Sequence, residues 1–462
     1  MEKKMIFLPH FIILWMLCDE ILLEPCWSSS AGIMSFALRV LLLCAWGITA
    51  LALHIMPFSG ISRRKKQPFS FRLWVMNGGR QIIRLCSWGV PIQIIICCLY
   101  LFKLPASLAP ASAAWPFIMI IDSVFAFFYF YLLILNGCIR IICTCRSLGI
   151  WKRVCIFCFL WIPVLHLFLG RYLSRRAYIE YDAERCRFEN RMARADSQIC
   201  ATRYPLVMLH GIGFRDLRYF NYWGRIPKEL ARNGAAVYYG HQEAWGTIEN
   251  NAEIIRKKIQ EVLRENQCGK VNIIAHSKGG LDARYLISGL HMENQVASLT
   301  TISTPHRGSE LLNLLNRLPD GIYRLISSLF DKSFVRFGDK NPDCYHASKQ
   351  LSPEFCREFN EKYPDAPGVY YQSYASCMKH SLGDGLLSVP NLLMFFAGAS
   401  KNDGLVTIDS AKWGNFRTTF QSSGRRGISH GDMIDLKRED YKGFDVIEAY
   451  VKIVVELKER GF

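Results

Sequence analysis

The first 170 residues of this 462-residue chain hold 5 Asp+Glu against 15 Lys+Arg, and 11 of its 17 cysteines. An apolar segment so poor in acids has little with which to face water on all sides, and it reads as a lipid-solvated domain. Residues 33–56 carry one charge, Arg39; residues 85–102 carry none; residues 113–137 carry only Asp122. A crossing needs roughly 17–25 apolar residues, so each of these stretches is expected to span. Residues 154–169 are uncharged but fall just under that length. Residues 5–23 are weaker because Asp19 and Glu20 interrupt them; they also read as a signal peptide, although no small-residue cleavage site is obvious. The expectation over 1–170 is an α-helical transmembrane bundle of four or five helices, in which cysteine acts as a small hydrophobe and not as a disulfide framework.

Loop charge sets the expected orientation. Arg63, Arg64, Lys65, Lys66 and Arg72 crowd one loop, and Arg140, Arg146, Lys152 and Arg153 another two spans later, so both should be cytoplasmic. A crossing through 154–169 would then place the rest of the chain outside, although Arg171, Arg175 and Arg176 oppose it. Without that crossing the back part is cytoplasmic. The front accounts for +10 of the +17 net charge. The remainder, with no basic stripe interleaved with aromatics, excludes a nucleic-acid surface. Asp122 reads as a polar contact to a neighbouring helix in preference to a transport site, since the better spans offer no second acid. Residues 171–203 are dense in both signs and read as a charged linker.

From Tyr204 the pattern changes. Apolar runs at 206–209, 235–239, 271–275, 299–303, 369–374 and 392–396 read as strands. Residues 249–263 place Ile254, Ile255, Ile259, Val262 and Leu263 at helical spacing, and 280–290 and 444–458 read as further helices. Such alternation implies a mostly parallel sheet with helices on both faces, its sites at the carboxyl ends of the strands.

The segment Ile273-Ile274-Ala275-His276-Ser277-Lys278-Gly279-Gly280 is a strand, a tight turn and a helix start. A serine in that turn is lifted clear of the sheet, and only small residues fit two places to either side, here Ala275 and Gly279. The helix that follows aims its first N–H groups at the reacting oxygen. His210-Gly211 follows the first strand, which makes the backbone N–H groups of Ile212 and Lys278 the candidate oxyanion hole. Ser303-Thr304-Pro305-His306-Arg307-Gly308-Ser309 follows the strand after the turn. An acid and a histidine come later in the order Ser, Asp, His: Asp403 in Asn402-Asp403-Gly404-Leu405-Val406 and His430 in Ile428-Ser429-His430-Gly431-Asp432. Asp409, Asp432 and Asp435 are alternative acids. His210, His276 and His306 read as packing or loop-fixing groups.

This ordered set, with Leu209-His210-Gly211, Tyr222-Trp223-Gly224 and Gly234-Ala235-Ala236-Val237-Tyr238, resembles the bacterial true lipases, triacylglycerol lipases of the α/β-hydrolase fold. The similarity runs from about Tyr204 to the end of the chain. It implies an α/β-hydrolase domain over 204–462, with Ser277 as nucleophile, His430 as general base, Asp403 as its orienting acid and a lipid ester as substrate. It implies no cofactor for the chemistry. It also implies a structural Ca²⁺ near the catalytic histidine, at Asp384 and Asp432, although Leu436 stands where a side-chain amide is expected; the alternative is two surface acids in turns. The front part matches nothing in that family. The family's source makes a bacterial cell membrane the expected location, with the chain multi-pass.

The expected activity is membrane-anchored hydrolysis of carboxylic esters of lipids through a Ser-His-Asp triad. A phospholipase or an acyltransferase would use the same residues. A non-catalytic lipid-binding transport or sensor protein is the alternative from another class. The stripe Ile322, Leu325, Ile326, Leu329 and Phe330 reads either as core or as a lid that opens at a lipid surface.

Overall fold

The computed structural model describes residues 70–101, 115–194, 197–215, 221–315 and 318–462, with scattered positions between 41 and 55. The expected span at 5–23, and most of that at 33–56, lie outside the described residues. The chain divides into two compact units, Met1–Arg185 and Cys186–Phe462.

In the first unit, α1 (Phe71–Leu101) and α2 (Trp115–Thr144) take up most of the apolar runs at 85–102 and 113–137. Among the described residues, Ser123–Thr144 is the helix long and apolar enough to cross a membrane. The two helices meet at facing glycines. A Cβ on Gly79 would lie 2.6 Å from the carbonyl oxygen of Gly137, and one on Gly137 2.8 Å from that of Gly79. Only small residues allow backbones this close. Then come α3 (Ile150–Phe159) and α4 (Pro163–Ala193). The run 154–169, expected as a crossing, is therefore not one helix. Pro163, whose fixed φ suits a first helical position, opens a new helix after α3 has ended. Ten residues of α-helix reach about 15 Å, half of a hydrocarbon core. The stretch expected as a linker, 171–203, is helical as far as Ala193.

Glu180 on α4 is buried and closes the turn that follows α2. It accepts from Ser147 N at 2.9 Å, Ser147 Oγ at 2.7 Å, Cys145 Sγ at 3.1 Å and Arg146 N at 3.2 Å, and pairs with Arg72. Burial alone would raise its carboxyl; the donors from Ser147, Arg72 and Cys145 instead hold it down at about 2.

The second unit is built on one six-stranded sheet. In chain order it runs β1 (Leu206–Leu209), α5 (Ile226–Arg232), β2 (Val237–Tyr239), α6 (Ile248–Glu265), β3 (Val271–His276), α7 (Gly279–Arg284) and β4 (Val296–Ile302). There follow α8 (Glu310–Leu315), α9 (Asp320–Arg336), α10 (Cys344–Lys349), α11 (Pro353–Lys362) and β5 (Tyr370–Ser376). The chain ends with α12 (Ser388–Phe396), α13 (Ile408–Ala411), β6 (Asn415–Phe420) and α14 (Val446–Glu459). The strand order is β2-β1-β3-β4-β5-β6, and every pairing is parallel. This is the parallel-sheet α/β-hydrolase architecture.

Alternation along the strands makes two cores. Leu206, Met208 and Ile274 pack with Trp223, Ile226 and Leu230 before and on α5 and with Val451 and Val454 on α14. Val207, Leu209, Ile273 and Ala275 pack on the other face with Ile255, Ile259 and Val262 of α6. From β1 the chain winds outward to β2, then returns past β1 to β3. The winding reverses there, which opens a crevice at the carboxyl ends of β1 and β3, where sheets of this kind place their sites.

Two expectations are corrected. Residues 392–396, read as a strand, are the end of α12. The strand beside β5 is instead β6, Asn-Phe-Arg-Thr-Thr-Phe, a half-exposed edge with little apolar signal.

Candidate active site

Ser277 stands at that crevice, immediately after β3. Its φ is +55°, in the left-handed region that L side chains other than Asn and Asp seldom enter. Its N–H donates to Ile302 O at 3.0 Å, which ties the turn to β4. The close quarters explain the glycines on either side of the crevice. A Cβ at Gly279 would lie 2.5 Å from His210 O, and one at Gly211 would lie 2.8 Å from Ser277 Cβ. The loop leaving β1, with Ile212 next in line, thus passes directly against the serine. Gly213 N–H closes that loop on Ala244 O at 2.9 Å.

The Lys278 side chain turns inward. It is almost wholly buried and pairs with Asp282 Oδ1 at 2.5 Å, one turn along α7. Asp282 Oδ2 accepts from Asn251 Nδ2 of α6 at 3.0 Å. A buried ion pair thus anchors the first turn of the helix behind the serine.

His430 lies in the loop after β6. Its Nδ1 is 2.9 Å from Asp403 Oδ2, and its backbone N–H donates to Asp403 O at 2.9 Å. Asp403 is fully buried. Oδ2 also accepts from Ser376 Oγ at 3.0 Å, while Oδ1 accepts from Val406 N at 2.9 Å and Leu405 N at 3.2 Å. Burial alone would raise this carboxyl; the His430 imidazole and the two N–H groups draw it below its ordinary value. The other acids weighed are engaged elsewhere. Asp409 is exposed and pairs with Lys412 at 2.8 Å, and Asp435 is held in a fork by Arg225 at 2.7 and 2.8 Å.

The ring of His276, the residue before Ser277, is 4.4 Å from that of His430, centroid to centroid. Its Nδ1 is 2.7 Å from Tyr222 Oη. Burial, and then the neighbouring His430, push its imidazole well below the usual range, so it packs as a neutral ring. His210 Nε2 is 2.9 Å from Gln242 O, and His306 Nε2 is 3.0 Å from Thr301 Oγ1, each fastening a loop.

Ser376 carries no motif in the sequence, and Ser303 stands there only as the start of the Ser303–Ser309 segment. Their hydroxyls are 3.0 Å apart and lead to Asp403, from the carboxyl ends of β5 and β4. Their place at strand ends was the available signal.

The structure brings Asp384 and Asp432 together, but not around a space for Ca²⁺. The Arg426 guanidinium lies between them, donating to Asp432 at 2.6 and 3.0 Å and to Asp384 at 3.3 Å, and Lys437 pairs with Asp384 as well. Among the described residues no group of three or more His, Cys, Asp or Glu is arranged to hold a metal ion. With two cations already seated on its two carboxylates, the site does not fit the implied ion.

Two helices of this unit expose apolar stripes. Ile322, Leu325, Ile326, Leu329 and Phe330 on α9, and Val389, Leu392, Phe395 and Phe396 on α12, are all 40% exposed or more. The α9 stripe is therefore not core.

A family model described as palmitoyl protein thioesterase matches residues 205–346. Triacylglycerol lipase 2 of Saccharomyces cerevisiae is 31% identical over 268 residues, 54% of this chain and 77% of that protein. The triacylglycerol lipase of Pseudomonas fragi is 26% identical over 297 residues, 56% of this chain and 98% of that protein. Among solved structures, a Bacillus licheniformis lipase in its mature form is 20% identical with a TM-score of 0.42, over 55% of this chain and 92% of that one.

Proposed function

Because the chain belongs to the triacylglycerol lipase family and is a carboxylic ester hydrolase, we propose that it cleaves acyl esters of lipids through a Ser277–His430–Asp403 triad. One observation carries the reading: a serine in a left-handed turn after β3, at the point where the winding of the sheet reverses, beside a histidine loop whose imidazole is already backed by a buried carboxylate. In this mechanism Asp403 holds Nδ1–H, which leaves Nε2 free to take the Ser277 proton. The serine oxygen attacks the ester carbonyl, and the backbone N–H groups of Ile212 and Lys278 hold the oxyanion. The alcohol leaves with the proton from His430, and water then releases the fatty acid from the acyl-enzyme.

The first unit, Met1–Arg185, anchors the chain in a bilayer, with Ser123–Thr144 as one span. The glycine-faced contact of α1 and α2 supports this, being the packing that helices use in lipid. The exposed stripes on α9 and α12 suit contact with lipid, and in this reading α9 serves as a lid.

Hydrolysis of p-nitrophenyl esters of short and long acyl chains by the purified full chain, with a thioester run in parallel, tests the reading. Ser277→Ala should lower kcat by about 10⁴–10⁶-fold and abolish fluorophosphonate labelling. Unchanged turnover would refute the triad. Labelling in intact against opened cells reports the side of the membrane.

A further inference from the structure

The loop that carries His430 is fastened through the residue before it. Ser429 N–H donates to Asp432 Oδ2 at 2.9 Å, and Ser429 Oγ donates to Asp384 Oδ2 at 2.6 Å. Both carboxylates are buried, with side chains 1% exposed. Two buried negative charges so close together need compensation. Arg426 supplies it in a specific geometry. Two of its nitrogens make a fork on Asp432, one of them also reaches Asp384, and Nε donates to Gly383 O. The planar guanidinium lies over the Tyr441 ring, 4.1 Å from its centroid. Lys437 adds the second positive charge on Asp384. The two side chains bring the charge of a divalent cation to the two carboxylates that would have held one.

We propose that Arg426 is the resident cation of the histidine loop, standing in for a divalent metal ion, and that it is a positioning residue for His430. The second part rests on the reading of His430 as general base; the first does not. The fork fixes Asp432, Asp432 fixes the Ser429 backbone, and that backbone sets where the imidazole stands against Asp403. A guanidinium does this without an exchange equilibrium, so the loop stays ordered whatever the calcium concentration.

The test uses the full chain in detergent micelles, with melting temperature and ester kinetics measured in EGTA and in millimolar CaCl₂. The wild type should show the same Tm, kcat and KM in both. Arg426→Ala in EGTA should melt lower and lose about 10–100-fold in kcat, as losses in the support of a site commonly do, with KM within twofold. Millimolar Ca²⁺ should then raise its Tm and recover part of kcat, because the vacated carboxylates now accept the ion. Arg426→Lys, which keeps the charge but not the fork, should fall between the two, and it stands in should the alanine variant not fold. A wild type that melts lower in EGTA and recovers with Ca²⁺ overturns the proposal. So does an Arg426→Ala variant with wild-type kinetics, or one whose Tm does not respond to Ca²⁺. Fluorophosphonate labelling separates the two readings: unlabelled Ser277 defeats the triad, while the Tm arms still report on Arg426.

Discussion

Asp403→Asn is the sharpest probe of the triad, because the structure dictates which way the new amide must face. Oδ1 of Asp403 accepts two backbone N–H groups, from Val406 at 2.9 Å and Leu405 at 3.2 Å. An asparagine NH₂ placed there would oppose two donors. The amide oxygen must therefore take that side, which turns the NH₂ toward Ser376 Oγ and His430 Nδ1. The hydroxyl can rotate to accept; the imidazole can comply only by giving up its Nδ1 proton and carrying it on Nε2. That tautomer has no lone pair for Ser277. The expected loss in kcat is about 10⁴-fold, near 5.4 kcal/mol in barrier height. It should appear in p-nitrophenyl ester hydrolysis near pH 7 with KM little changed, since no substrate contact is lost. The melting temperature should fall only modestly, because each hydrogen-bonding position stays occupied. A kcat within tenfold of wild type would refute the assignment of Asp403 as the orienting acid.

Two further sites, the Lys278–Asp282 pair and Glu180, test the framework. Asp282→Ala strands the Lys278 ammonium inside the unit and should cost about 3–5 kcal/mol in thermal unfolding, whereas Lys278→Met with Asp282→Leu should recover most of it; equal stability of the single variant would refute the pair as the anchor of the turn at Ser277. Glu180 titrates near 2 against an ordinary 4.5, a difference worth about 3 kcal/mol that is fully present above 4.5 and lost as pH falls toward 2. Glu180→Ala should remove it at neutral pH. It should also open Cys145, whose buried thiol is pushed up to about 12, to maleimide at pH 7.5; a Cys145 as unreactive as in the wild type would refute the closure.

The legible parts of this fold are those where one physical demand acts on neighbouring residues. β1 and β3 are buried on both faces, so Leu206–Leu209 and Val271–His276 read as apolar runs from composition alone. The turn at Ser277 is legible because sterics act within two residues of it. Residues 392–396 were misread because five apolar residues in a row carry no period; the helix begins upstream, at Ser388, and leaves Leu392, Phe395 and Phe396 exposed. β6 was missed because an edge strand needs few apolar side chains. The partners of the site were beyond reach for another reason. Ser376 and Lys437 meet their acids across 27 and 53 residues of chain, and Arg426, whose fork on Asp432 spans only 6, reaches Asp384 across 42; no local pattern marks the long pairings before the sheet is assembled.

The charges around His430 sort by what answers each acid. Asp384 and Asp432 are met by Arg426 and Lys437, two full positive charges. Asp403 is met by a serine hydroxyl, two backbone N–H groups and the imidazole. Were the first two carboxylates left uncompensated, two buried negative charges would repel each other beside the backbone that holds His430, and the loop would lose its footing. Were Asp403 also paired with an arginine, its charge would be spent in the ground state and could not stabilise the imidazolium as it forms in the transition state. The arrangement leaves one acid free to respond to the ring and silences the other two. This is why the cation belongs on Asp384 and Asp432 and not on Asp403, and why an arginine fixed in the chain can serve there.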